Sequence, residues 1–349
     1  MADQRTSLPS PRTPNAMDAP PLRWGVMGPG WIAEKFVESL QAHTRQEVVA
    51  VGSRALPRAQ DFAERYGIAT ATGSYAELAQ CEDVDIVYVA SPHPAHLEHA
   101  LLCLDAGKHV LVEKPIALSA AQAREIADKA AVTGLYCAEA LWTMFLPKWD
   151  VLRQVLELGM LGEVKAVYSD YGEYFEDGHR IFDAALAGGP LLDLGTYPLA
   201  FVTSLLGAHE SLVALGQTDP RGVNGQIGAT MTHADGTQSV ISTTLYGTTS
   251  NEVKIVGTEA VLTVEPVHNG PGPLSITSAD GSRTLSYDEP VGDQVAGLHF
   301  QAAEAARRIT AGETQTPLRT LESSIISLEA SDEIRRQLGI DFEAAGLHE

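Results

Sequence analysis

Between Arg23 and Ala140 the chain alternates short β-rich runs with helical runs, and that alternation leaves few folds open. "RWGVM", "EVVAVGS", "VDIVYVA", "HVLVEKP" and "LYCAEA" read as strands. "WIAEKFVESLQAH", "LPRAQDFAERYG", "PAHLEHALLCLDAG" and "SAAQAREIADKAAVTG" read as helices between them. Ser119 is a natural N-cap for the last of these, and Gly67, Gly107 and Gly134 are natural stops. Strands alternating with helices of this length predict a parallel sheet with crossover helices.

The first strand runs into Gly28-Pro29-Gly30-Trp31-Ile32-Ala33, a G-x-G-x-x-A turn that opens a helix. In that context the first glycine permits a tight bend and the second lets the backbone approach a pyrophosphate. The small third residue lets the helix pack closely, and the amides at the helix start, Trp31 and Ile32, face the phosphate. A close-packed turn without a ligand is the alternative. The expectation is a dinucleotide-binding Rossmann domain over residues 22–145.

The second strand bears on which dinucleotide is bound. NAD sites usually place Asp or Glu roughly 20 residues beyond the glycines, on the ribose 2′-hydroxyl. Here that region holds Ser53 and Arg54, with Arg58 one helical turn on, and no carboxylate. A hydroxyl with a guanidinium suits a 2′-phosphate, so NADP is favoured over NAD. A plain surface arginine is the other reading of Arg54.

Ligands of open α/β sheets sit at the carboxyl ends of the strands. "HVLVEKP" ends in Glu113-Lys114-Pro115, which puts a lysine where a nicotinamide lies, with a proline fixing the backbone after it. Ser91, His93 and His96 follow another strand and, with Glu113 and Lys114, are expected to contact the cofactor in the same pocket. His93, His96 and His99 lack the H-E-x-x-H spacing, and His93 lies between prolines, so no metal is expected.

A second constellation lies in "GGPLLDLGTYPLAFVTSLLG", Gly188 to Gly207, which reads mostly as one apolar helix. Asp193, Thr196 and Tyr197 stand at i, i+3 and i+4 and share a face of it. They either point into a cavity or serve as a cap beside a buried tyrosine. A tyrosine exchanges a proton with an alcohol when a nearby cation favours its phenolate, and Lys114 is the obvious cation.

"GPGWIA", "EKP" and "DLGTYP", in this order and at these separations, resemble the glucose–fructose oxidoreductase/inositol dehydrogenase (Gfo/Idh/MocA) family. The likeness runs from Leu22 to about Leu338 and is nearest to the NADP-dependent dihydrodiol dehydrogenase/xylose dehydrogenase branch, with tyrosine where inositol dehydrogenases have histidine. The resemblance implies Lys114 and Tyr197 as the catalytic pair, with Asp193 binding or orienting a substrate hydroxyl. Many relatives carry an arginine where "EALWTMFLP" has Met144. Trp142 and Met144 then either give the pocket mouth an apolar lining or pack in the core. Arg180 contacts substrate or makes a surface ion pair.

Beyond Pro147, "KWDVLRQVLELG" reads as a helix and the pattern then turns antiparallel. "EVKAVYSDYGEYF" and "NEVKIVGTEAVLTVE" read as strands, and the Asp-Gly pairs in "ATMTHADGTQSVISTTLYG" and "LSITSADGSRTLSY" signal hairpins. The expected second domain, 146–349, is α+β: an open, mostly antiparallel sheet with the Asp193 helix on one face and two C-terminal helices packing back on the first domain. In the resembled family the other face of that sheet forms a dimer interface, so a homodimer or homotetramer is expected.

Composition removes other classes. Lys plus Arg number 24 against 45 Asp plus Glu, a net charge of −21, which opposes nucleic acid and anionic membranes as partners. No apolar run approaches the roughly 20 residues that cross a bilayer. Three scattered cysteines fit a reduced cytoplasmic protein. Residues 1–21 hold five prolines and little that is apolar, and are expected to be disordered. The function expected is NADP-dependent hydride transfer to or from a secondary alcohol or hemiacetal of a sugar, cyclitol or diol. A glycosidase working by transient oxidation, or a non-catalytic ligand sensor, are the alternatives.

Overall fold

The computed structural model describes residues 6–289 and 295–347. They fall into two compact units: residues 14–144 with 297–325, and the described parts of 1–13, 145–296 and 326–349.

In the first unit β1 (Arg23–Met27), β2 (Glu47–Gly52), β3 (Thr70–Thr72), β4 (Ile86–Val89), β5 (His109–Glu113) and β6 (Cys137–Ala140) form a six-stranded sheet. All its pairs are parallel and the order is β3-β2-β1-β4-β5-β6. The order reverses at β1 and β4, the crevice where such sheets take nucleotides. The connecting helices are α1 (Trp31–His43), α2 (Leu56–Tyr66), α3 (Tyr75–Ala79), α4 (His96–Asp105) and α5 (Ala120–Thr133). The Ser119 hydroxyl accepts from the Gln122 amide to start α5, and left-handed Gly67 and Gly134 end α2 and α5. The short β3 and α3 were absent from the sequence reading. Val26, Val37, Val51, Phe62 and Ala33 close one side of the sheet as a buried cluster. Helix α9 (Leu298–Thr310) belongs to this unit and packs on α1.

The second unit begins its main run with α6 (Pro147–Glu157) and β7 (Val164–Gly172). Helices α7 (Pro190–Asp193) and α8 (Thr196–Leu206) follow, then β8 (His209–Thr218), β9 (Asn224–His233) and β10 (Gln238–Thr244). Next come β11 (Val253–Gly257), β12 (Ala260–Val264), β13 (Leu274–Ser278) and β14 (Thr284–Tyr287). These strands make one eight-stranded sheet in the order β14-β13-β12-β11-β7-β10-β9-β8, antiparallel except for β7 with β10. Both Asp-Gly pairs lie in hairpin turns, with Gly236 and Gly281 at positive φ. Helix α8 covers one face of the sheet. On the other face Val213, Thr230, Val240 and Tyr168 follow one another across β8, β9, β10 and β7. Val213, Val240 and Tyr168 are exposed there, as is Leu215.

Three expectations change. Residues 6–21 are packed rather than disordered: the Arg12 guanidinium binds Asp150 and Glu157, and Gln154 donates to the Ser10 carbonyl. In the other unit Ala16 and Ala19 are buried against Ala303 and Ala306, and Arg307 donates to the Asn15 carbonyl. Prolines lower the entropy lost on ordering, so a few anchors hold a segment too polar to form a core of its own. Residues 1–5 of that expectation lie outside the described ones. The expected 146–349 domain is not one compact stretch. Residues 297–325 group with the first unit, whereas α10 (Leu321–Leu338) passes into the second at 325/326. The single helix expected from Gly188 to Gly207 is broken between Asp193 and Thr196.

Candidate active site

In the first unit each small residue of the opening turn has its own cause. Gly28 has φ +95°, and a Cβ there would meet the backbone of Ala90 and Ser91 at 3.1–3.2 Å. Only glycine holds that bend without strain. Gly30 is different, since a Cβ built on it meets nothing within 4 Å. Its smallness leaves an open approach to the start of α1, where no side chain caps the first amides. Uncapped amides at a helix N-terminus under an open glycine form an anion cradle. Ala33 is fully buried in the cluster between helix and sheet. The residues fit a dinucleotide pyrophosphate, with Trp31 exposed at 59% and Ile32 half-buried at the rim.

After β2, Ser53 is buried and its hydroxyl accepts from the Ala55 amide at 3.3 Å, turning the chain into α2. Arg54 and Arg58 are exposed. His99 is buried on α4, where its Nδ1 lies 2.8 Å from the Ser91 hydroxyl. Burial lowers its affinity for a proton, with Glu98 pulling the other way and Arg54 adding a smaller push in the same direction as burial.

Lys114 leaves β5 on a turn whose main chain is tied to three buried side chains. Its own amide donates to the Glu113 carboxylate at 3.1 Å. His96 Nδ1 lies 2.8 Å from the Pro115 carbonyl, and the Ile116 amide donates to Glu139 at 3.0 Å. Glu113 also accepts from the Tyr88 hydroxyl. Burial pushes Glu113 up to about 7, with Tyr88 and Lys114 pulling it back. The other nitrogen of His96 faces the Ser91 carbonyl at 2.7 Å, so a neutral ring can donate to only one of its two carbonyls. Burial holds this histidine down to about 4 against both contacts. Each nitrogen of His96 faces a main-chain carbonyl, so this buried ring braces the turn after β5, whereas His93 is half-buried. Glu113 is a brace too, since both its oxygens are engaged. Trp142 and Met144 are each only 2% exposed in the first unit, which is core packing.

In the second unit Asp193 and Arg180 come together, the guanidinium donating to the carboxylate at 3.1 Å. Asp193 is 13% exposed and Arg180 55%. The ion-pair alternative for Arg180 therefore holds, and its partner is the very carboxylate assigned to substrate. Gly189 places that carboxylate: it has φ +102°, and a Cβ there would collide with the side chain of Asn224. Asn224 in turn accepts from the Leu191 amide at the start of α7. Between the two helices only glycine fits at 195, where a Cβ would sit 2.6 Å from the Leu191 carbonyl. Tyr197 then falls in the first turn of α8, 8% exposed, its ring 5.4 Å from that of Tyr171.

Lys148 escaped the sequence reading, because a lysine at a helix start normally reads as solvated. It is 1% exposed, and its Nζ has no hydrogen-bond partner among the described residues. Burial pulls it down to about 8 against the attraction of Glu289. Its folded-state value lies below the ordinary one near 10.4, so the unfolded chain binds more protons between about 8 and 10.4. Stability therefore rises with pH across that window, and the full penalty remains below it. Lys148→Met should raise the melting temperature by several degrees at pH 7 and flatten the rise above pH 8, read by scanning fluorimetry. A lower melting temperature would show that the ammonium stabilises the fold.

Comparison with known proteins adds the following. The model described as "Oxidoreductase family, NAD-binding Rossmann fold" matches residues 22–140, and the "GFO/IDH/MocA C-terminal domain" matches residues 149–263. The trans-1,2-dihydrobenzene-1,2-diol dehydrogenase of Bos taurus is 33% identical over 92% of this chain and 98% of its own. The Homo sapiens protein of that name is 31% identical over the same shares. A 3-ketoreductase from Actinomadura kijaniata, solved with NADP and TDP-benzene, superposes with TM-score 0.80 and 28% identity over 91% of this chain and 98% of its own. A levoglucosan dehydrogenase solved with NADH and levoglucosan shares the fold, with TM-score 0.83 at 16% identity over 92% of this chain and 98% of its own. Among the described residues no helix is long and apolar enough to cross a membrane.

Proposed function

The chain belongs to the Gfo/Idh/MocA family of NAD(P)-dependent oxidoreductases, and on that premise we propose that it moves a hydride between NADP and a secondary alcohol or hemiacetal carbon of a trans-diol, sugar or cyclitol. The observation that carries the cofactor half is the open Gly30 above the uncapped start of α1. The substrate class is supported by the diol dehydrogenases at about a third identity and by the NADP-bound ketoreductase.

Bound NADP supplies the hydride acceptor, or as NADPH the donor. The chain's residues do the rest. Gly28, Gly30, Trp31 and Ile32 hold the pyrophosphate, Ser53, Arg54 and Arg58 the 2′-phosphate, and Ser91 and His93 the nicotinamide side. Tyr197 takes the hydroxyl proton in oxidation and returns it in reduction, while the Lys114 ammonium stabilises its phenolate. Asp193 accepts from a neighbouring substrate hydroxyl, and Arg180 orients that carboxylate. Two vicinal hydroxyls would so be read by different groups, one by Tyr197 and one by Asp193. The exposed apolar row on the eight-stranded sheet supports a homodimer or homotetramer through that face. Three free cysteines, two of them buried, suit a reducing cytoplasm.

A panel of trans-dihydrodiols, aldoses, cyclitols and ketosugars, assayed in parallel with NADP and NAD, tests the reading. Turnover is expected with NADP and a diol or sugar, and NADPH binding without turnover of any member would sink it. Arg54→Ala should raise the KM for NADP on the order of 10- to 100-fold, the worth of a charge-assisted contact, and leave the KM for NAD nearly unchanged. A clear preference of the unaltered protein for NAD would remove Arg54 from the 2′-phosphate.

A further inference from the structure

We propose that the buried pair of Glu139 and Arg319 is a positioning device for Lys114, through which the segment 319–324 sets the placement and the charge surroundings of that lysine. The proposal rests on the reading of Lys114 as the active-site cation. Glu139 stands on β6 and Arg319 lies 180 residues on, before α10. One carboxylate oxygen accepts from the Ile116 amide at 3.0 Å, two residues past Lys114. The other accepts from Arg319 Nε and Nη2, both at 2.8 Å, and from the Ser324 hydroxyl at 2.7 Å. Arg319 itself is anchored on the Ser323 carbonyl at 3.1 Å.

Both side chains are almost wholly buried, 1% exposed for Arg319 and 2% for Glu139. Buried ion pairs are costly to desolvate and often add nothing to stability over apolar groups of similar size. What this pair does uniquely is fix a backbone amide in the lysine's own turn, with one carboxylate oxygen on that amide and two guanidinium nitrogens converging on the other. Glu113 and His96 hold the same turn from its other sides. Among the described residues, the charged and titratable groups seen to hold this turn or its holders include Glu113 on β5, Tyr88 on β4, His96 on α4, Glu139 on β6 and Arg319. Glu139 repels the Glu113 carboxylate, so Arg319 keeps two buried negative groups from meeting uncompensated beside Lys114.

The test reads Lys114 directly. The protein without cofactor is acylated with acetic anhydride over a range of pH, and labelling of the Lys114 peptide is followed by mass spectrometry. Glu139→Gln keeps an acceptor for Ile116 but removes a negative charge and leaves Arg319 unbalanced, which favours the neutral amine. Lys114 should then label roughly 3- to 10-fold faster at pH 8. Arg319→Lys keeps the charge and loses the fork, so kcat should fall severalfold with little change in labelling rate and no change in NADPH affinity. Ser324→Ala, the mildest variant, keeps both charges and loses one bond to the carboxylate, so it should show a small fall in kcat with little change in labelling. Variants that bind NADPH stoichiometrically, melt earlier, yet keep the labelling profile and kcat of the unaltered protein would overturn the proposal and leave the pair as packing. If Glu139→Gln does not fold, Ser324→Ala and Arg319→Lys decide by the same readouts. Full turnover in Lys114→Met would instead remove the reading beneath the proposal, and the labelling result would stand apart from it.

Discussion

Tyr197→Phe should lower turnover by about 10²- to 10⁴-fold, the usual worth of a positioned acid or base, while NADPH affinity stays where it was. The substitution removes one oxygen and keeps the ring. Tyr197 is 8% exposed and its ring packs 5.4 Å from Tyr171, a contact phenylalanine preserves. Stopped-flow turnover, NADPH fluorescence titration and a melting curve on one preparation separate chemistry from folding. Unchanged turnover would take the hydroxyl out of the reaction and throw the proton onto Asp193 or solvent.

Lys114→Met should cost a similar factor, for a reason that can be told apart. The main-chain tie from residue 114 to Glu113 survives the change, so the turn should keep its path. What goes is the ammonium, and with it one of the influences that hold Glu113 from rising further. If Lys114 and Tyr197 serve one proton transfer, the double variant should be hardly slower than either single one, because groups acting as a unit lose their effect once. Losses that multiply would mean independent roles. In either single variant the residual rate should no longer depend on the ionisation of the missing group, and the pH profile of kcat should lose one limb.

Much of the first unit was legible because its signals are local. A glycine turn after a valine-rich strand, a serine cap and glycine stops each act within a few residues, and the helices α1 and α2 run as the sequence suggests. The two Asp-Gly hairpins were legible for the same reason. Strand β8 was passed over: Leu212 and Ala214 face inward while Val213 and Leu215 stand exposed, so "SLVAL" shows no alternation to separate strand from helix. The break between Asp193 and Thr196 falls inside an unbroken apolar run, so a periodicity count does not see it. The candidate residues could be named from motifs, but their partners could not. The tie between Arg180 and Asp193 crosses 13 positions and that between Arg319 and Glu139 crosses 180, and no spacing rule connects such pairs. Burial of His96 and Glu113 beside the Lys114 turn was not legible either, because burial is a property of the folded chain alone.

The assignment of residues 6–13 to one unit and 14–21 to the other, with α10 shared at 325/326, bears on how such a gene can change. The chain passes from unit to unit at 13/14, 144/145, 296/297 and 325/326, so neither unit is a single run of codons. A recombination event that swaps everything after residue 145 would import a foreign C-terminal piece for both units at once.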